Sequence, residues 1–344
     1  MGLAALSLSA NGVGSGSGRG GADPENAIWS RQFWQSPSPG ASRHPLPPQS
    51  RGEGCKTNVS QNRKISFGRR ILRMLLTLGI VYVLLVLAVA VFQRRLIYFP
   101  RTIPPALAEP AAAENGFVAW RNPTGKIIGW KLPAASAPAA SVLVIHGNAG
   151  CAMDRGYLAG PIHEAAPVDV FVLEYPGYGA REGSPDKSSL LAAGEEALAL
   201  LPGDRPKYLV GESIGTGEAC QLAGAHPAQV AGLVLFAPYH DLAAVAQRRM
   251  PFLPAYFLLA DRFHPAEDLV HYRGPVKMVV AGSDEIIPAA FGQRLFDGYP
   301  GPKELQIISG ARHNDIAEQS PDWWRQIFEF WQTNLTVQGK PVKK

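Results

Sequence analysis

Cysteine is scarce in this chain: Cys55, Cys151 and Cys220 are the only three in 344 residues. That excludes a disulfide scaffold, and because none of them forms a CxxC or CxxxH pair it argues against a structural zinc site. Charged residues make up only 18% against 46% hydrophobic ones, a composition too apolar for a chain disordered throughout. Acidic residues are nearly missing from the first hundred positions, which hold 12 Lys and Arg against 3 Asp and Glu. The remainder carries a slight acidic excess, so the overall charge of +5 comes from the N-terminal segment. Nucleic-acid recognition needs a basic face on the domain itself, and no nucleic-acid partner is expected.

Residues 1–68 are dense in Gly, Ser, Pro and Arg and lack a periodic apolar pattern. Such a stretch cannot bury enough surface to offset the entropy of ordering, which predicts a disordered extension. Residues 74–92 then run without a single charge. As a helix rising 1.5 Å per residue they span roughly 28 Å, close to the hydrocarbon thickness of a bilayer. Ala88-Val-Ala90 has the small-residue form of a signal-peptide cleavage site, but Val91 and Phe92 continue the apolar run, which favours a retained signal-anchor. Arg63, Lys64, Arg69, Arg70 and Arg73 precede this run, and Arg94, Arg95 and Arg101 follow it. The positive-inside bias places the N-terminus in the cytoplasm and the large domain on the non-cytoplasmic side of a single-pass protein.

Beyond residue 100 short apolar runs alternate with helical patterns. Strands are expected over 117–120, 127–132, 141–146, 168–174, 208–211, 230–236, 276–281 and 305–308, with helices over 188–201 and 322–334 among those between and after them. This alternation predicts an α/β fold with a mostly parallel sheet buried on both faces. The first two strands are separated only by a turn at Pro123-Thr-Gly125, which predicts an antiparallel hairpin at the sheet edge.

The candidate chemistry lies at strand ends. The strand Tyr208-Leu-Val210 runs into Gly211-Glu-Ser-Ile-Gly215 and then into a helical pattern. In this G-x-S-x-G arrangement the glycines permit a tight strand-to-helix turn that lifts the Ser213 hydroxyl above the sheet. A serine nucleophile needs a base, and the base needs an orienting acid. His313 follows the last strand and Asp284 the one before it, giving the order Ser…Asp…His at successive carboxyl ends of strands. Glu285 is the rival acid. Small residues in His146-Gly-Asn-Ala-Gly150 allow a backbone donor to face the site, so the oxyanion hole is assigned to the N–H groups of Asn148 and Ile214. His146 is expected to hold this loop rather than to act as base, and Cys151 and Cys220 are expected to be buried and inert.

With these pieces in place, residues from about 93 to 331 resemble an α/β-hydrolase of the membrane-anchored, bud-emergence-related branch. The resemblance is carried by Arg95-Leu-Ile-Tyr-Phe-Pro100, His146-Gly-Asn-Ala-Gly150, Glu174-Tyr-Pro-Gly-Tyr-Gly179, Gly211-Glu-Ser-Ile-Gly215, Gly282-Ser-Asp284 and His313. It implies an eight-stranded sheet with helices on both faces and a short cap after the sixth strand, here residues 239–272. The chain then divides into an extension (1–68), a transmembrane helix (74–92), a hydrolase domain (100–335) and a C-terminal tail (336–344).

The expected activity is that of a serine hydrolase, a carboxylesterase or thioesterase acting on a small-molecule or lipid acyl substrate, with no metal or organic cofactor required. Two other readings compete: a peptidase on the same fold, and a catalytically silent scaffold held at a membrane. The aromatic cap, with Pro251-Phe-Leu-Pro254 and Tyr256-Phe-Leu-Leu259, fits equally a lining for an acyl pocket over Ser213 and ordinary core packing.

Overall fold

The structure, a computed structural model, describes residues 59–338. The expected disorder of residues 1–58 and the end of the tail lie outside the described residues. The long helix α1, Val59–Ile97, begins well inside the stretch expected to be unstructured and continues past the charge-free run. Within it the segment Phe67–Ile97 is long and apolar enough to cross a membrane, and its most apolar window is not buried by the protein.

After α1 the chain passes through the short strand β1 (Phe99–Pro100) and α2 (Pro105–Ala113). The hairpin β2 (Val118–Arg121) and β3 (Ile127–Leu132) follows, then β4 (Ala140–Ile145), the short β5 (Ala149–Gly150) and α3 (Gly156–Ala165). Next come β6 (Val168–Leu173), α4 (Lys187–Leu200), β7 (Lys207–Glu212), α5 (Ile214–Ala225) and β8 (Val230–Phe236). Three short helices, α6 (Leu242–Arg249), α7 (Ala255–Leu258) and α8 (Pro265–Asp268), precede β9 (Val276–Ala281). The chain closes with α9 (Ala289–Gly298), β10 (Lys303–Ile308) and α10 (Pro321–Gln338).

The main sheet has eight strands in the order β10-β9-β8-β7-β4-β6-β3-β2. Every pairing from β10 to β6 is parallel, whereas β3 pairs antiparallel with both β6 and β2. The central strands are apolar on both faces because both are covered. Leu143 and Ile145 of β4, Leu209 of β7 and Leu233 and Leu235 of β8 pack toward α4, α5 and α9. The alternate residues Val142, Val144, Tyr208, Val210, Val234 and Phe236 pack toward α2, α3 and α10. Tyr208 stacks on Trp331 of α10 with ring centroids 4.1 Å apart, and a Cβ at Gly232 would lie 2.4 Å from the Trp331 ring. This two-sided packing fixes the sheet as a rigid base, and the carboxyl ends of β4, β7, β9 and β10 carry the loops of the candidate site.

Candidate active site

Ser213 sits between β7 and α5 with φ +52° and ψ −118°, a backbone conformation that costs a non-glycine residue on the order of 1–3 kcal/mol. Its neighbours explain how the strain persists. A Cβ at Gly211 would lie 2.8 Å from the Thr216 Cα, and one at Gly215 only 2.2 Å from the Ile145 carbonyl oxygen and 2.7 Å from that of His146. Only glycine admits this approach of the helix start to the end of β4. The Ser213 N–H donates to the Phe236 carbonyl at 2.9 Å, which pins the turn to the next strand.

Three separate loops meet at the serine. The Ser213 hydroxyl lies 3.1 Å from His313 Nε2, and His313 Nδ1–H donates to Asp284 Oδ2 at 2.8 Å. Asp284 Oδ1 in turn accepts the backbone N–H groups of Ile286 at 2.8 Å and Ile287 at 2.7 Å. The acid is thus locked by its own loop, and its side chain is almost wholly buried. Glu285 turns outward and pairs with Arg312 at 3.2 Å, tying the loop of the acid to the loop of the histidine. The structure therefore brings Ser213, His313 and Asp284 into one hydrogen-bonded chain and leaves the rival acid out of it.

The loop after β4 is held from several sides. Tyr175 donates to the His146 carbonyl and Tyr178 to the Asn148 carbonyl, each at 2.8 Å. Phe99 N–H also donates to the Asn148 carbonyl at 2.9 Å, and the Asn148 side-chain amide donates to the Ile97 carbonyl at 2.7 Å. β1 and β5 pair in parallel, and the Gly179 N–H donates to the Arg101 carbonyl at 2.9 Å. Three short motifs far apart in sequence are thereby stitched into one unit. Among the described residues, neither the Asn148 nor the Ile214 backbone N–H has a hydrogen-bond partner, so both remain free to donate. His146 is fully buried, which lowers its pKa to about 3, and its Nδ1 bonds the Gly147 carbonyl at 2.7 Å. It is neutral and structural.

Sequence reasoning passed over a second set of residues. Glu212, directly before the serine, accepts the Gly147 N–H at 3.2 Å and the Tyr157 hydroxyl at 2.6 Å, and its carboxylate lies 3.5 Å from Arg155 Nε. Glu174 accepts Ala152 N–H at 3.0 Å and Trp130 Nε1–H at 3.2 Å, and its burial pushes its pKa up to about 7. Glu212 lies inside the G-x-S-x-G motif and Glu174 opens another, which was the available signal; Arg155 and Tyr157 stand in no motif. Tyr178 of the Glu174-Tyr-Pro-Gly-Tyr-Gly179 motif is fully buried.

The cleft in front of Ser213 has a volume of about 530 Å³, and its walls include Phe99, Arg155, Tyr157, Phe236, Ile286 and Ile316. No residue of 239–272 lines it, so of the two readings of the aromatic segment the lining of a pocket over Ser213 is not met in this cleft. Cys151 and Cys220 are buried, free thiols. Among the described residues no group of three or more His, Cys, Asp or Glu is placed to hold a metal ion.

Comparison with known proteins agrees with this architecture. An uncharacterized protein of Mycobacterium tuberculosis is 35% identical over 231 residues, covering 65% of this chain and 81% of the relative. The human alpha/beta hydrolase domain-containing protein 17B is 30% identical over 184 residues, covering 51% of this chain and 61% of that protein. Among solved structures, Est1E from Butyrivibrio proteoclasticus, with ferulic acid bound, superposes with a TM-score of 0.50 at 15% identity, covering 60% of this chain and 95% of Est1E. Residues 140–265, which run from β4 through the Ser213 turn into α8, match the family described as alpha/beta hydrolase fold. With the parallel sheet, the strained serine turn and these relatives taken together, the chain belongs to the α/β-hydrolase superfamily.

Proposed function

We propose that this protein is a serine hydrolase that cleaves ester or thioester acyl groups, with Ser213 as nucleophile, His313 as general base and acid, and Asp284 as its orienting partner. The observation that carries the reading is the continuous relay from Ser213 Oγ through His313 (3.1 Å) to Asp284 (2.8 Å) above a strained turn. As Oγ bonds the acyl carbon, its proton passes to His313 Nε2. The N–H groups of Asn148 and Ile214 receive the oxyanion, each such donor being worth about 3 kcal/mol of barrier. The leaving alcohol or thiol departs with the proton from Nε2. Water then gives a proton to Nε2 as its oxygen attacks the acyl-enzyme, and collapse releases the carboxylic acid and restores the serine hydroxyl.

The cleft volume is within the range of small-molecule sites, and its apolar walls suit an acyl or aryl group. We read residues 100–335 as the hydrolase domain, residues 239–272 as its cap, and α1 as a retained single-pass anchor of the kind found in the bud-emergence-related branch. The five basic residues Arg63, Lys64, Arg69, Arg70 and Arg73 before the apolar run, against three after it, favour a catalytic domain on the non-cytoplasmic side. Protease accessibility of the domain in sealed vesicles tests that sidedness.

The chemistry is tested with a fluorophosphonate probe and p-nitrophenyl esters of increasing acyl length, alongside peptide amides. The expected result is labelling and ester turnover that vanish in Ser213→Ala. Folded wild-type protein that takes no label and turns over no ester refutes the reading in favour of a silent scaffold. Preference for peptide amides refutes it in favour of a peptidase.

A further inference from the structure

Residues 250–260 form a charge-free segment, Met-Pro-Phe-Leu-Pro-Ala-Tyr-Phe-Leu-Leu-Ala, whose two phenylalanines face outward: Phe252 is 88% exposed and Phe257 77%. Solvent-facing aromatics on this scale need a partner, because leaving each in water forfeits much of the benefit of burying it. The segment lies along the second half of α1. The Tyr82 hydroxyl donates to the Phe252 carbonyl at 3.0 Å, Gln93 bonds the Leu258 carbonyl at 3.3 Å and the Ala260 N–H at 2.7 Å, and Arg94 pairs with Asp261 at 3.2 Å. An apolar crevice of about 70 Å³ between them is walled by Val89, Leu96, Met250, Leu258 and Leu259.

Position along α1 converts these contacts into depth. Tyr82 stands twelve residues before Arg94, about 18 Å along the helix axis, and near the centre of the charge-free run. If α1 crosses a bilayer whose hydrocarbon core is about 30 Å thick, the tip of the segment accompanies it through much of one leaflet.

The backbone of the segment is prepared for such surroundings. Lipid offers no hydrogen bonds, so every polar backbone group that enters it must be satisfied from within the protein. Pro251 and Pro254 have no N–H to satisfy. Gln247 spans the loop, donating to the carbonyls of Met250 (3.4 Å) and Leu253 (3.0 Å) while accepting the Tyr256 N–H at 3.1 Å. Arg262 donates to the carbonyls of Tyr256, Phe257 and Leu259 at 2.8, 3.0 and 3.0 Å. The N–H groups of Leu253, Phe257, Leu258 and Leu259 close local turns. Among the described residues only the N–H groups of Phe252 and Ala255 in this segment have no such partner. The exposed cations Arg95 and Arg248 flank the apolar surface, as anionic or zwitterionic headgroups would require.

From the charge-free surface, its attachment to the middle of α1 and a backbone most of whose polar groups are bonded within the protein, we infer that residues 250–260 are a second membrane element, a monotopic wedge with Phe252 and Phe257 in the hydrocarbon. The occupant of this surface is a lipid bilayer. The inference rests on α1 being an anchor, and the experiment separates the two.

Full-length protein in a Cys55→Ser background, where Cys151 and Cys220 are buried, is spin-labelled at single cysteines replacing Phe252, Phe257, Leu78 or Glu182 and reconstituted in phosphatidylcholine–phosphatidylglycerol vesicles. Leu78 lies exposed on α1, and Glu182 on the solvated surface. Collision rates with oxygen, which partitions into lipid, and with a water-soluble nickel complex are measured by paramagnetic resonance. The ratio of oxygen to nickel accessibility at 252 and 257 is expected to be several-fold above that at 182 and comparable to that at 78. A label at 78 in lipid with 252 and 257 matching 182 overturns the wedge and leaves the anchor standing. Aqueous values at all four positions overturn both. Circular dichroism verifies that each variant is folded, and quenching of Phe252→Trp fluorescence by brominated lipids is the second measurement should a labelled variant fail to fold.

Discussion

Replacing Asp284 by asparagine removes one charge and almost no volume, yet the surroundings of this side chain make the change severe. Oδ1 accepts two backbone N–H groups and Oδ2 accepts the His313 Nδ1–H, so every neighbour of the carboxylate is a donor. An amide must aim its NH₂ at one set. Facing the backbone pair, it sets donors against donors and breaks the loop. Facing His313, it makes Nδ1 the acceptor and moves the imidazole proton to Nε2, where it points at Ser213 Oγ and cannot accept the hydroxyl proton. Keeping the oxygen on the two backbone donors costs less, so the second arrangement dominates. A base in the wrong tautomer lowers turnover by about 10⁴-fold, close to 5.5 kcal/mol of transition-state stabilisation. The assay is the kcat of p-nitrophenyl ester hydrolysis together with the rate constant for fluorophosphonate labelling, since both steps need the same proton transfer. Both should fall together while the unfolding temperature changes by only a few degrees. Retention of more than a tenth of wild-type activity would refute the assignment of Asp284 as the orienting acid.

Gly215→Ala places a Cβ 2.2 Å from the Ile145 carbonyl oxygen, backbone that cannot rotate away, so the start of α5 must shift by about 1 Å to reach van der Waals distance. A displacement of that size in the donor geometry costs about 10²-fold in kcat, readable as slow esterase turnover in folded protein; unchanged kinetics would contradict the placement. Glu212→Ala frees the Gly147 turn and leaves Arg155 without its carboxylate, which predicts a loss of kcat of about ten- to a hundredfold with little change in KM. Glu174 titrates near 7 in the folded protein against an ordinary 4.5, because burial disfavours its charge. Its contribution to stability is therefore fully present below pH 4.5 and lost as pH rises through 7, by about 3 kcal/mol. Relative to Glu174→Gln, which does not titrate, the wild type should lose about 2.5 kcal/mol of unfolding free energy between pH 5 and pH 8; a constant difference across this range would refute it.

Periodicity and turn chemistry made the sheet legible. Strands such as Ile127–Leu132, Val230–Phe236 and Val276–Ala281 stand where mostly apolar runs marked them, because a strand covered on both faces is apolar at most positions. The G-x-S-x-G turn was legible because its glycines answer to backbone collisions that any sequence with this geometry must avoid. The aromatic segment after β8 was not. Its residues are apolar whether they face a substrate, a core or a lipid, and composition alone cannot distinguish these. Only the placement of Phe252 and Phe257 on the outside, away from the Ser213 cleft, separates them. The extent of α1 was underestimated for a related reason: the basic residues before the apolar run read as flanking charge, although Arg and Lys are good helix formers and continue the helix. Arg155 and Tyr157 escaped notice because their role depends on the course of the chain after Gly150, which no local pattern records.

The motif Arg95-Leu-Ile-Tyr-Phe-Pro100 carries part of the family resemblance in sequence, and in the fold it is bonded to the loop of the candidate site. Phe99 bonds the carbonyl of Asn148, and the side chain of Asn148 bonds the carbonyl of Ile97 at the end of α1. Tyr98 and Arg94 share Asp261, which follows the apolar segment 250–260, and Arg94 also reaches Asp186 before α4. The last turn of α1 is therefore bonded to the proposed oxyanion loop on one side and to the segment after β8 on the other. A flexible tether would leave the domain free to tumble above a membrane. This attachment instead fixes the orientation of the domain relative to α1, and any force on the helix is transmitted within two residues to the backbone that the proposed mechanism uses to hold the oxyanion. In the proposed enzyme α1 is thereby part of the scaffold that holds the oxyanion donor, and removing α1 up to Ile97 should disturb the Asn148 loop.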